Sequence, residues 1–90
     1  MNIEPYSGTS NKRYTAVFAD GKPIHFGLAG ASTYIDHKDK SKRAAYIARH
    51  KVREDHNNPK TAGALSRHLL WGDHTTLEDN IVAFKSRFGI

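Results

Sequence analysis

Ninety residues, 38% hydrophobic and 26% charged, describe one small globular domain with too little chain for a second core. The absence of cysteine excludes a disulfide framework, a thiolate zinc site, an iron–sulfur cluster and a cysteine nucleophile. The formal charge of +5 is confined to one stretch: residues 38–60 hold eight bases against three acids, while residues 1–37 and 61–90 are each balanced. A concentrated basic segment is the usual footprint of a phosphate-binding surface.

In chain order, residues 1–13 are polar, with Pro5, Ser7, Gly8, Thr9 and Ser10, which predicts a flexible or surface-draped N-terminal arm. Residues 14–27 predict a β-hairpin. Tyr14–Phe18 is rich in strand formers, Asp20-Gly21 is a turn signal, and Pro23–Phe26 returns. The period of two puts Tyr14, Ala16, Phe18, Ile24 and Phe26 on one face. Residues 27–37 predict a small-residue connector, with Leu28, Tyr34 and Ile35 tucked into the core.

Three helices are predicted after it. The first covers about 39–55, capped by Asp39 or Asp36. On a helical wheel Ala44, Ala45, Ala48, Val52 and Ile47 fall on an inward apolar side. Lys42, Arg43, Tyr46, Arg49, His50 and Arg53 form a basic arc about 120° wide facing water. The second helix covers 59–71, entered through Asn58-Pro59 and stopped by Gly72. Its core stripe is Ala62, Leu65 and Leu69, widened by Leu70 and Trp71. The third covers 76–88, opened by a Thr75–Glu78 capping pair and carrying Leu77, Ile81, Phe84 and Phe88 inward. The expected fold is α+β: an N-terminal β-hairpin packed on three helices, ββααα, in a single domain over residues 14–90.

Chemistry is sparse. The six histidines show neither an i, i+4 metal pair nor a finger spacing. His37, His56 and Asn57 match the outline of a ββα metal-dependent nuclease only faintly, and Asp36-His37 and Asp73-His74 fit capping better than acid–base work. No nucleophile elbow or phosphate loop occurs. The expectation is a protein that is not an enzyme and carries no cofactor, metal or catalytic residue. No apolar run approaches the ~18 residues of a membrane span, and no basic-then-apolar leader opens the chain, so neither membrane nor secretion is expected. The remaining surface chemistry is phosphate recognition. Lys38, Lys42, Arg43, Tyr46, Arg49, His50 and Arg53 are the candidate nucleic-acid-binding residues, with Lys40 and Lys51 beside them. No set of base-reading side chains opens the helix, so the expected binding is non-specific. The other reading is that the same face docks an acidic protein.

Several blocks carry a family resemblance. They are His37-Lys38-Asp39 with Arg43, Tyr46, Arg49-His50 and Arg53-Glu54; Thr61-Ala62-Gly63 with Leu65-Ser66-Arg67 and Leu70-Trp71; and Asn80 with Phe84-Lys85 and Arg87-Phe88. Together they resemble a family of small basic proteins of large DNA viruses that infect algae and protists. Asp55 and His68 depart from that pattern, which tends to an aromatic at both places. The resemblance covers about residues 14–88 and brings no established activity. It implies a viral setting, in the virion or the infected cell's cytoplasm or nucleus. The role there would be genome packaging or condensation, or that of a minor capsid-associated protein.

Overall fold

The computed structural model describes residues 1–90, and its first half is a three-stranded antiparallel sheet. Strands β1 (Asn2–Pro5), β2 (Lys12–Val17) and β3 (Pro23–Leu28) follow one another, so β2 is central. The β2–β3 register pairs Tyr14 with Phe26 and Ala16 with Ile24, which buries Ala16, Phe18 and Phe26 on one face as the period of two predicts. The turn differs in detail. The Gly21 N–H donates to the Phe18 carbonyl at 2.8 Å, so Ala19 and Asp20 are its central residues and Gly21 follows at φ 83°. A glycine in the left-handed region behind such a turn preserves the twist between the strands.

The predicted flexible arm is corrected at its start. Asn2–Pro5 pairs with residues 14–17, Asn2 opposite Val17 and Pro5 opposite Tyr14. Met1 and Ile3 pack against the core while Asn2 and Glu4 face water. Four residues ending in proline are too few to show strand alternation in a sequence, but an edge strand tolerates proline.

The second half holds four α-helical segments rather than the three expected: α1 (Tyr34–His37), α2 (Lys40–His50), α3 (Ala62–Leu65) and α4 (Leu77–Phe88), with a π turn (Ser66–Leu70) continuing α3. The class is α+β, in the order βββ then helices. One-turn α1 replaces part of the connector because Thr33 and Asp36 form a reciprocal capping box. Lys38, at φ 58°, ends it. Helix α2 stops at His50, short of the predicted residue 55: residues 51–53 form a turn in which the Arg53 N–H takes the His50 carbonyl at 3.2 Å, a tighter i→i−3 bond. The predicted helix 59–71 starts later, with Thr61 Oγ1 accepting from the Ala64 N–H at 3.1 Å, and widens after Leu65. The Trp71 N–H reaches the Ser66 carbonyl at 3.0 Å to close the π turn. Thr76, not Thr75, caps α4 through the Asp79 N–H at 3.3 Å, and Gly89 closes its far end at φ 65°.

Leu65, Leu69, Leu70 and Phe84 complete the core over the sheet. Ala62 is exposed and Trp71 only half-buried, against the predicted stripe. Asn80 is fully buried and fully used: Nδ2 donates to the Leu69 and His74 carbonyls, both at 3.0 Å, and Oδ1 accepts from the His74 N–H at 3.0 Å.

Candidate nucleic-acid interface

Helix α2 is capped by Asp39. Its carboxylate accepts from the Ser41 and Lys42 N–H groups at 2.9 and 3.2 Å. The segment before it is anchored to β2. Arg13 reaches Asp36 through two parallel bonds of 2.7 and 2.8 Å, and this guanidinium, against some cost of burial, holds the Asp36 carboxyl far below the ordinary range.

The orientation of α2 reverses the wheel reading. Ala44, Ala45 and Ala48 face water, and Val52 beyond the helix is 78% exposed. The side that docks is Arg43, Tyr46, Ile47 and His50. Tyr46 stacks flat on Trp71, with ring centroids 4.3 Å apart and planes 4° apart, and His50 stacks on the other side of Tyr46 at 4.0 Å. Burial, helped by the charge of Glu54, pushes the Tyr46 hydroxyl up to about 12. Arg43 Nε donates to the Trp71 and Gly72 carbonyls at 3.2 and 2.9 Å, and its Nη2 pairs with Asp73. These carbonyls and the aromatic pair hold the helix to the body. Ala side chains could not supply such contacts, while an aromatic stack adds about 0.5–1.5 kcal/mol beyond area burial.

Of the seven candidate residues, Arg43, Tyr46 and His50 are therefore turned toward the fold. Lys38, Lys42, Arg49 and Arg53 remain exposed, and no ion pair engages them. Lys40 and Lys51 join them, equally exposed and free. The wheel sets these two beside the alanines and so outside the basic arc. With the helix turned over, the alanines form a low strip of small side chains between cations.

Glu54 locks the far end of α2. Its Oε1 meets His50 Nδ1 at 3.2 Å and its Oε2 meets His56 Nε2 at 2.8 Å. Burial works to raise the Glu54 carboxyl, but the bonds from His56 and His50 outweigh it and leave it below its ordinary value. A Cβ on Gly63 would lie 2.8 Å from Glu54 Cδ. The small residue at Gly63 thus leaves room for the Glu54 side chain, while the alanine side of α2 is turned to water.

Other candidates take structural places. His37 Nδ1 accepts from the Asp39 N–H at 2.9 Å, and its Nε2 is buried without a partner. His56 stands with Glu54 and His68, not with His37. No group of three or more His, Asp or Glu side chains could hold a metal ion, and no helix is long and apolar enough to cross a membrane.

The model of a protein family described as a family of unknown function (DUF5754) matches residues 6–50. The chain belongs to that family. The family's span takes in β2, β3, α1 and the whole of α2, so both the Arg13–Asp36 anchor and the exposed cations from Lys38 to Arg49 fall inside it. Lys51, Arg53, the Glu54 lock and Trp71 lie beyond it. No curated protein and no solved structure matches the chain.

Proposed function

We propose that this protein binds nucleic acid without sequence preference through the outer side of α2 and its flanks. One observation carries the reading: Lys38, Lys40, Lys42, Arg49, Lys51 and Arg53 are all exposed, and no carboxylate of the chain pairs with any of them. Free cations at this density gain most from meeting phosphates, because binding releases condensed counterions. The alanine strip between them keeps the helix slim, so a phosphate backbone can approach closely. Arg43, Tyr46 and His50 contribute indirectly by clamping the helix. This reading makes the chain a binding protein rather than an enzyme. In the viral setting that the sequence resemblance implies, the role is genome packaging or condensation.

The test is fluorescence anisotropy of a random-sequence duplex at several salt concentrations. Log affinity should fall against log salt with a slope of about −0.9 for each phosphate engaged, so about −3.6 to −5.4 if four to six of the cations engage. The variant Lys42→Glu/Arg49→Glu/Arg53→Glu should abolish binding while remaining folded. Absence of binding at low salt sinks the proposal.

A second reading is that the same side docks an acidic protein of the virion. The exposed Val52 in line with Ala44, Ala45 and Ala48 favours it, since an apolar strip between cations also suits a protein groove. Val52→Asp would weaken such a dock strongly and duplex binding only slightly.

A further inference from the structure

A second concentration of positive charge lies away from the outer side of α2. Where the π turn, α4 and the connection after α2 meet there is a cavity of about 310 Å³, lined by Arg67, His68, Arg87 and His56 among others. Arg67 and His68 belong to the π turn itself, and such turns are enriched at functional sites. Of the five N–H donors of Arg67, Nη1 alone is bonded, to the Trp71 carbonyl at 3.0 Å. Arg87 is exposed and makes a single long bond of 3.5 Å, to Asn57 Oδ1. Asp73 is the one carboxylate in the lining, and its side chain is 81% exposed and already paired with Arg43. The two guanidiniums of the lining, Arg67 and Arg87, thus have no carboxylate partner.

The electrostatics agree with an unmet demand for negative charge. Burial lowers the Arg67 guanidinium, Arg43 and Arg87 press it further, and Asp73 opposes them only in part. His68 is lowered first by burial and also by Arg67, Arg87 and His56, against the bond of its Nε2 to the His56 carbonyl at 2.8 Å. Converging cations without a counter-ion cost stability unless an anion offsets them. The volume is at the small end of ligand pockets, which run about 300–1,000 Å³, and suits a compact anion. Two guanidiniums offer forked donors that match the oxygens of a phosphate.

We propose that this cavity is an anion site that takes a phosphate group, with Arg67 and Arg87 as its charged donors. It is separate from the nucleic-acid reading of α2, and the experiment keeps the two apart. The full chain, labelled with nitrogen-15, is titrated with inorganic phosphate while the His68 ring and the Arg67 and Arg87 Nε signals are followed by NMR. The expected result is saturable binding with an upward move of the His68 titration. Affinity should drop at least tenfold in Arg87→Gln and stay unchanged in Lys42→Glu/Arg49→Glu/Arg53→Glu. Arg67→Lys should weaken binding too, but Arg67 also holds the Trp71 carbonyl, so the exposed Arg87 carries the decision. Shifts that do not saturate, that survive in Arg87→Gln, or that vanish in the α2 variant overturn the proposal. A short oligonucleotide with a 5′-phosphate that binds more tightly than its 5′-hydroxyl form, an advantage lost in Arg87→Gln, assigns the phosphate to a nucleic-acid end. Equal affinities, with inorganic phosphate still bound, assign it to a free phosphate or small phosphomonoester.

Discussion

Asp36 does two jobs at once. Its Oδ2 accepts from the Thr33 N–H and from the Thr33 hydroxyl, both at 2.8 Å, and the same carboxylate binds the Arg13 guanidinium. The sequence marks it as a capping residue but does not show that β2 supplies its counter-ion. Asp36→Ala removes both roles and should cost about 1–2 kcal/mol, a cap being worth about 1 and a partly exposed ion pair up to about 1. Urea unfolding at neutral pH checks this. The pH dependence has a definite sign. The folded carboxyl sits below its unfolded value of about 3.9, so the stabilisation is complete above that value and is lost as pH falls through and below it. Between pH 6 and pH 3 the wild-type chain should therefore lose more stability than Asp36→Ala does. Equal losses would mean that the pair is open in solution.

At the scale of the element, α2 is the informative piece. Its N-cap is legible from Asp39, but its end at His50 and its rotation are not. A wheel ranks side chains by hydrophobicity, and alanine scores as apolar although it has little area to bury. The partner surface offers a flat indole and accepting carbonyls at Trp71 and Gly72, which favour a tyrosine and an arginine over alanines. Two substitutions read the rotation directly. Ala48→Gln should change stability by no more than about 0.5 kcal/mol, as exposed substitutions do. Tyr46→Ala should cost about 2–3 kcal/mol through the lost stack and burial. Trp71 is the single tryptophan, so its fluorescence reports the stack, and only the Tyr46 variant should shift it. The π turn escapes the sequence for a different reason. Its residues fit an α-helix equally well, and the extra residue is accommodated by Asn80 taking the Leu69 carbonyl from α4.

At the scale of the molecule, the sheet is larger than a hairpin and the basic surface differs from the one the wheel draws. A two-stranded hairpin is marginal by itself, and β1 covers one edge of β2 while Met1 and Ile3 add to the core. Deleting residues 1–5 should lower stability by about 1–2 kcal/mol, given the partial burial of two apolar side chains. A flexible arm would leave the thermal midpoint unchanged, and differential scanning calorimetry separates the two outcomes. The charge is divided into two regions of different character: exposed free cations around α2, and the half-buried Arg67 with the exposed Arg87 at the cavity beside the π turn. Salt should weaken binding at the first more than at the second, because the half-buried Arg67 is screened less than an exposed cation.

Local chemistry accounts for the parts of this protein that its residues announce in order: the β2–β3 hairpin and its inward face, the caps near Asp39 and Thr76, the leucine–phenylalanine core, and the confinement of charge to residues 38–60. Each depends on neighbours within a few positions, where backbone preference and periodicity act directly. Packing between distant segments settles the rest: which side of α2 meets water, that Asn2–Pro5 joins the sheet, that Glu54 fills the space over Gly63, and that Arg67 and Arg87 converge on one cavity. Trp71 lies 25 positions after Tyr46, and Asp36 lies 23 after Arg13. The energies of such contacts come from shape and hydrogen-bond geometry, which no periodicity encodes.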